Sequence, residues 1–260
     1  MGTKLSAALI AAIVMVPAPA MAQSAIDTEL APGGQLRFGL NGANSTIVTR
    51  NADGGVGGVA PELGRFIAPR LGASFVPVLY ATSAAYTDSM EKLAEWDICV
   101  TGRNPRADAK FDYSPDVIAV EYVLLAAPGK AFADVREVDR AGVTIAVARN
   151  ASADVFLSRS LKSAELLRAV GGADNVVELL RDGKADLFAT GTGIALDAAA
   201  RLPGSRIVGV FHKVSFAVAV PKGRSTAALG RLTVLVNEAK TAGVVARAIE
   251  QAGLKGVHVP

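Results

Sequence analysis

Asp97-Ile98-Cys99-Val100-Thr101-Gly102-Arg103-Asn104-Pro105-Arg106 is the stretch on which the fold of this chain turns. Ile98 to Val100 is a short apolar run, bounded by Trp96-Asp97 on one side and by Gly, Asn and Pro on the other. That length and those boundaries predict a buried strand rather than a helix. The strand leaves through a turn that carries Arg103 and Arg106. In open α/β sheets, ligands sit outside the carboxyl ends of strands. A guanidinium offers a rigid fork of donors that matches a carboxylate or phosphate bidentately. The stretch therefore reads as an anion-binding strand end. For Arg106, pairing with Asp108 or Asp112 is the alternative; for Arg103 it is exposure to solvent.

Working upstream, Leu36 to Leu40 predicts a first strand, and Leu63, Phe66, Ile67 and Leu71 share one face of a helix that starts near Val59. Pro61 is tolerated in its first turn, Pro69 should end or bend it, and Gly72 is a C-cap candidate. Phe75 to Leu79 is a second strand, which Pro77 assigns to a sheet edge. Tyr86, Met90 and Leu93 then step along a helix that ends near Trp96. With the strand at Ile98 this completes βαβαβ, the signature of a parallel sheet with right-handed crossovers.

Downstream, an extended stretch from Val117 to Ala126 runs into Pro128-Gly129 and a second α/β pattern begins. It predicts strands at Val143–Val147, Leu166–Val170 and Ala185–Ala189, with helices from Asn150-Ala151-Ser152-Ala153 to Leu161 and over Asn175–Arg181. Thr190-Gly191-Thr192-Gly193 reads as a loop leading to a helix over Ile194–Leu202, followed by strands at Ile207–Phe211 and Phe216–Val220. Thr226 to Gln251 is helical with a break at Ala242-Gly243, and should return to cover the first sheet. Residues 23–34 are a lead without a regular element.

The chain has 260 residues, 51% hydrophobic and 20% charged, which is enough for packed cores and argues against disorder. The net charge is only +3 and Lys and Arg are scattered, so no nucleic-acid partner is expected. Cys99 is the one cysteine and sits in an apolar run, so it reads as a core side chain. His212 and His258 have no neighbours at metal-ligand spacing, so neither metal nor cofactor is expected. At the start, Lys4, the apolar Leu5–Val16 and Ala20-Met21-Ala22 form an export signal, with cleavage after Ala22 and a periplasmic destination.

Taken together, these segments resemble the bacterial extracellular solute-binding proteins of the amino-acid type, family 3. The resemblance rests on the exported start, Leu36–Leu40, the helix from Gly58 to Gly72, Trp96-Asp97-Ile98, and Pro105-Arg106 followed by Phe111-Asp112-Tyr113-Ser114-Pro115. It rests also on Val143–Val147, Asp182-Gly183-Lys184-Ala185-Asp186 and Ala217-Val218-Ala219-Val220-Pro221-Lys222-Gly223. It implies an α/β type II periplasmic binding fold of two lobes, each a mainly parallel sheet flanked by helices. Residues 1–22 would be the signal peptide, 35–120 plus 221–260 lobe 1, 125–215 lobe 2, and 116–125 and 214–221 the hinge crossings. The implied function is that of a monomer which captures a small anionic solute by hinge closure and hands it to the membrane permease of an ABC transporter.

By the same resemblance, Arg106 matches the arginine that clamps a ligand carboxylate, and Thr101 and Gly102 match strand-end residues whose backbone meets the ligand. Asn150-Ala151-Ser152 replaces a Gly-Thr pair at a helix start, where free N–H groups favour an anion. Arg103, Asn41, Asn44, Thr190 and Thr192 complete the candidate set. Turn formation is the alternative for the two asparagines, and helix capping for the two threonines. Gly191 stands where the family carries an ammonium-reading aspartate, and aromatics are missing from the Asn41–Ile47 loop. The expected solute is therefore a small carboxylate-bearing anion, either amino-acid-like or outside the standard α-amino acids. Two rivals remain: a periplasmic lyase or dehydratase on the same fold with Glu121 as its acid/base, and a ligand-sensing subunit. The Ser89-Met90-Glu91-Lys92 match to penicillin-recognising enzymes lacks its sequence context.

Overall fold

The computed structural model describes residues 25–50, 54–103, 105–149, 151–170 and 173–260. The export signal, Asn104, Asn150 and the side chain of Arg106 lie outside the described residues.

After a helix α1 (25–30) the chain runs β1 (Gln35–Asn41), β2 (Thr49–Arg50), β3 (Val56–Gly57), α2 (Val59–Arg70), β4 (Ser74–Tyr80), α3 (Ser83–Lys92) and β5 (Ile98–Gly102). It continues through α4 (Pro105–Asp108), β6 (Phe111–Ala126), β7 (Thr144–Ala148), α5 (Ser152–Ser160), β8 (Glu165–Ala169), α6 (Ala173–Arg181), β9 (Leu187–Gly191) and α7 (Thr192–Arg201). The last elements are β10 (Arg206–Pro221), α8 (Thr226–Thr241), α9 (Val244–Gln251) and β11 (Val257–His258). The main sheet has the order β4-β1-β5-β10-β6-β9-β7-β8, with β11 added to β6. β4, β1 and β5 are parallel at one end, and β9, β7 and β8 are parallel at the other. β6 and β10 form the antiparallel pair between them.

Each end has its own core. Phe38, Leu40, Leu63, Ile67, Ile98, Leu232 and Leu235 fill the first half. The second half packs both faces of its sheet, with Leu125, Val176, Leu180 and Phe188 on one side and Leu124, Phe132, Ile145, Val147 and Leu157 on the other. The two halves share a construction rule. The Asp97 carboxylate accepts the Arg37 N–H at 2.9 Å while the Asp97 N–H donates to the Arg37 carbonyl at 2.8 Å. In the second half Asp186 accepts from the Thr144 N–H at 2.8 Å and donates to the Thr144 carbonyl at 2.9 Å. Each aspartate thus pins the start of one strand to the next and is neutralised by a cation, the Arg37 guanidinium at 2.6 Å or the Lys130 ammonium at 2.6 Å. Those contacts explain why Asp precedes Ile98 and Leu187.

Several expectations need correction. Residues 25–34 are not a lead without structure: Leu30 and Ala31 are buried, and the Glu29 carboxylate accepts both the N–H and the hydroxyl of Ser225. α3 stops at Lys92, short of Trp96, because Leu93 adopts a left-handed φ of 56° and closes the helix there. The two strands expected around Lys213-Val214-Ser215 are one strand, β10, which pairs with β6 from Arg206 to Pro221. Its polar middle is tolerated because the strand runs between the two cores, and register shifts on either side of it mark bulges. Thr190-Gly191-Thr192-Gly193 is not a loop. β9 runs through Gly191, whose extended backbone (φ −63°, ψ 146°) is the N-cap of α7. The edge position of β4, the Gly72 turn (φ 63°) and the break between α8 and α9 agree with the sequence reading.

Candidate functional site

β6 and β10 change neighbours midway. β10 pairs with β5 over Phe216–Ala219, and β6 pairs with β9 over Tyr122–Ala126. At this changeover lies a cavity of about 360 Å³. Its floor is Val120 and Tyr122 of β6, and its second-half wall is built from the end of β7 at Ala148, the start of α5 at Ala151 and Ala153, the end of β9 and the first turns of α7. The first half contributes Ser45, Thr46 and the C-terminal tail from Gly253 to Val257. The lining is mostly alanine, glycine and aliphatic side chains with five hydroxyl-bearing residues, Ser45, Thr46, Tyr122, Thr190 and Thr192. Two helix N-termini open on it, and the first four N–H groups of a helix have no intrahelical acceptor.

Thr190 is buried in the ladder opposite Val123. The Thr192 hydroxyl donates to the Glu121 carbonyl at 3.1 Å. At Gly191 a Cβ would meet nothing within 4 Å, so the position is open space facing the cavity. Ser152 is the exposed first residue of α5 and is not among the described lining residues.

Asn41 and Thr101 lie elsewhere. They share a second cavity, of about 260 Å³, at the carboxyl ends of β1 and β5 with Tyr86, Met90 and the paired side chains of Glu91 and Lys110. The Asn41 side chain accepts the Ala43 N–H at 3.2 Å and Asn44 accepts the Thr46 N–H at 3.1 Å, so both shape the turn that brings Thr46 to the first cavity. Gly102 ends β5 beside Val214. The Arg103 guanidinium donates to the Ser114 carbonyl at 2.9 Å, stands 3.4 Å from Asp116 and lies over the Tyr113 ring at 4.8 Å. Arg106 occupies the short helix α4.

The sequence reading missed Tyr122, Asp197 and Lys255. Tyr122 belongs to an aromatic group in which His212 stacks on Phe156 with centroids 3.9 Å apart, and burial holds the His212 imidazole below its ordinary value. Glu121-Tyr122, the polar interruption of the apolar stretch at 117–126, is a usable signal for Tyr122. For Asp197 and Lys255 no local signal exists, because only the tertiary fold brings α7 and the tail together.

Other polar groups have structural partners. The Ser89 hydroxyl donates to the Tyr86 carbonyl at 2.7 Å and accepts from the Trp96 indole at 3.0 Å, which makes it a buried link rather than a nucleophile. Burial pushes the Cys99 thiol up to about 12. The Glu121 carboxylate pairs with Lys213 at 3.0 Å. Among the described residues no cluster of ligating side chains could hold a metal ion, and no helix is long and apolar enough to cross a membrane.

No protein-family model matches the sequence, and no curated protein matches it. Solved structures do. One from Wolinella succinogenes, described as the binding component of an ABC transporter in complex with lysine, superposes with a TM-score of 0.66 at 20% identity, over 84% of this chain and 95% of that one. The solute receptor for L-cysteine of Neisseria gonorrhoeae gives 0.60 at 22% identity, over 88% and 92%. An ancestral amino-acid-binding protein, a precursor of cyclohexadienyl dehydratase, gives 0.60 at 18% identity, over 84% and 94%. The likeness shows the fold: this chain has the two-lobed α/β architecture of the type II periplasmic binding proteins.

Proposed function

We propose that the protein is the solute-capturing component of an ABC-type importer, exported to the periplasm after cleavage behind Ala22, and that it takes a small carboxylate-bearing solute between its lobes. The observation that carries this reading is the cavity of about 360 Å³ at the carboxyl ends of β7 and β9, walled by both halves of the molecule. Residues 35–120 with 221–260 form the first lobe in this reading, 125–215 the second, and 116–125 and 214–221 the crossings about which they close. The solute's negative group is drawn by the open N-termini of α5 and α7, with Ser152, Thr190 and Thr192 at those ends, by Asn150 ahead of Ser152 in the sequence, and by Arg106 from the first lobe. Thr101, Gly102, Asn41 and Asn44 shape the first-lobe face, and Arg103 stiffens the strand end from which α4 departs. Binding without chemistry is favoured over the lyase reading because Glu121, the acid/base it needs, is engaged by Lys213.

The test is a thermal-shift screen of protein stripped of carried-over ligand, against amino acids, 2-oxo acids, dicarboxylates and other small anions. A ligand at about 1,000 times its dissociation constant adds about 4 kcal/mol. A hit that disappears in Arg106→Ala supports the reading; silence over the whole panel, or turnover of any member, overturns it.

A further inference from the structure

The C-terminal tail is fastened into the changeover region. β11 pairs Val257 with Val120 and His258 with Ala119, and the Glu121 N–H donates to the Gly256 carbonyl at 2.8 Å. Gly256 has a φ of 67°, and any Cβ on it would overlap Thr192. The tail is thus pressed against the start of α7, with Lys255 held one residue before the contact. Lys255 lines the cavity and is the one cation among its described lining residues. It makes no ion pair with another described residue. The hydroxyls around it, and the N-termini of α5 and α7, also favour negative charge. The cavity's one described carboxylate is Asp197, a turn beyond Gly193 on the same helix face, and it too is unpaired among the described residues. The rest of the wall is apolar, with Ile194 and Leu196 both exposed toward it.

We propose that Lys255 is a specificity-determining residue that binds the solute's carboxylate, and that Asp197 restricts the site to monocarboxylates with an apolar body. This rests on the reading of the cavity as a carboxylate site. A second negative group would meet Asp197 without a counter-charge, whereas an apolar body finds alanine and aliphatic side chains. An ammonium on the solute would be compatible with Asp197, so 2-oxo and 2-amino acids of the same skeleton share the recognised chemistry and are separated by the test.

The experiment is calorimetric titration of the wild-type protein, Lys255→Gln, Lys255→Arg and Asp197→Asn with 4-methyl-2-oxopentanoate, leucine and succinate. The expected result is binding of one or both monocarboxylates, weakened about tenfold or more in Lys255→Gln and retained in Lys255→Arg. Succinate should bind only after Asp197→Asn, and loss of leucine but not of the 2-oxo acid in that variant would identify an ammonium contact. Lys255 is exposed, so the Gln variant should melt where the wild type does. Unchanged affinity in Lys255→Gln, or wild-type preference for succinate, overturns this assignment and leaves the carboxylate reading standing. A wild type that binds none of the three overturns the assignment as well, and the broader screen then decides whether the carboxylate reading falls with it.

Discussion

At the scale of single residues, two positions reverse the rule that their residue type suggests. Gly64 lies in the interior of α2, where alanine ordinarily gains about 0.5–1 kcal/mol over glycine. Here a Cβ would overlap the Phe75 ring and crowd Phe38, so the helix lies close on the sheet because this side chain is missing. Gly64→Ala should therefore destabilise the protein by about 1–3 kcal/mol, read as a lower urea midpoint with an unchanged slope. His212 is the second. Burial against Phe156 holds its imidazole below its ordinary value, while in the unfolded chain it takes up a proton below about pH 6.5. The unfolded state then binds more protons, so this contribution is complete above that pH and falls as the pH drops toward the folded-state value. His212→Phe keeps a ring on Phe156 and removes the titration. Between pH 7.5 and 5.5 the variant should lose less stability than the wild type; equal losses would refute the account.

At the scale of elements, the junction of β9 and α7 makes a direct prediction. Gly191 caps α7 with extended backbone, no side-chain acceptor and empty space around its Cα. Gly191→Asp should supply the missing cap and complement the helix dipole, raising stability by about 0.5 kcal/mol, measured as an upward shift of the melting temperature without ligand. The same junction shows where sequence reading succeeds and where it stops. Short apolar runs locate β1, β5 and β7, helical spacing locates α2, and Pro77 identifies the edge strand, because those signals are set by residues within one element. Thr-Gly-Thr-Gly looked like a loop because its composition is that of a turn, yet ladder pairing from Thr190 and Gly191 to β6 extends the strand through it. That pairing is tertiary and has no local mark. The site divides along the same line. Thr190 and Thr192 are candidates in the sequence and line the cavity, whereas Lys255 and Asp197 reach that cavity only through the tertiary fold.

At the scale of the whole molecule, the two halves are joined by β6 and β10, with β11 laid against β6. Both long strands carry register shifts close to the changeover, where a pair of strands bends most easily. Solute bound between the halves should shift the population toward a closed form, and small-angle X-ray scattering should show a smaller radius of gyration with a thermal-shift hit than without it. No change with a saturating ligand would mean that closure is not part of binding. The placement of β10 between β5 and β6 also bears on how the chain is made. Synthesis is vectorial, yet the first half needs β10, α8, α9 and β11, which follow the elements of the second half along the chain. Until those elements arrive β5 has an unpaired edge and α2 lacks part of its cover. An unpaired edge of this kind is a template for pairing with another chain, so a chaperone that covers it is useful in the interval.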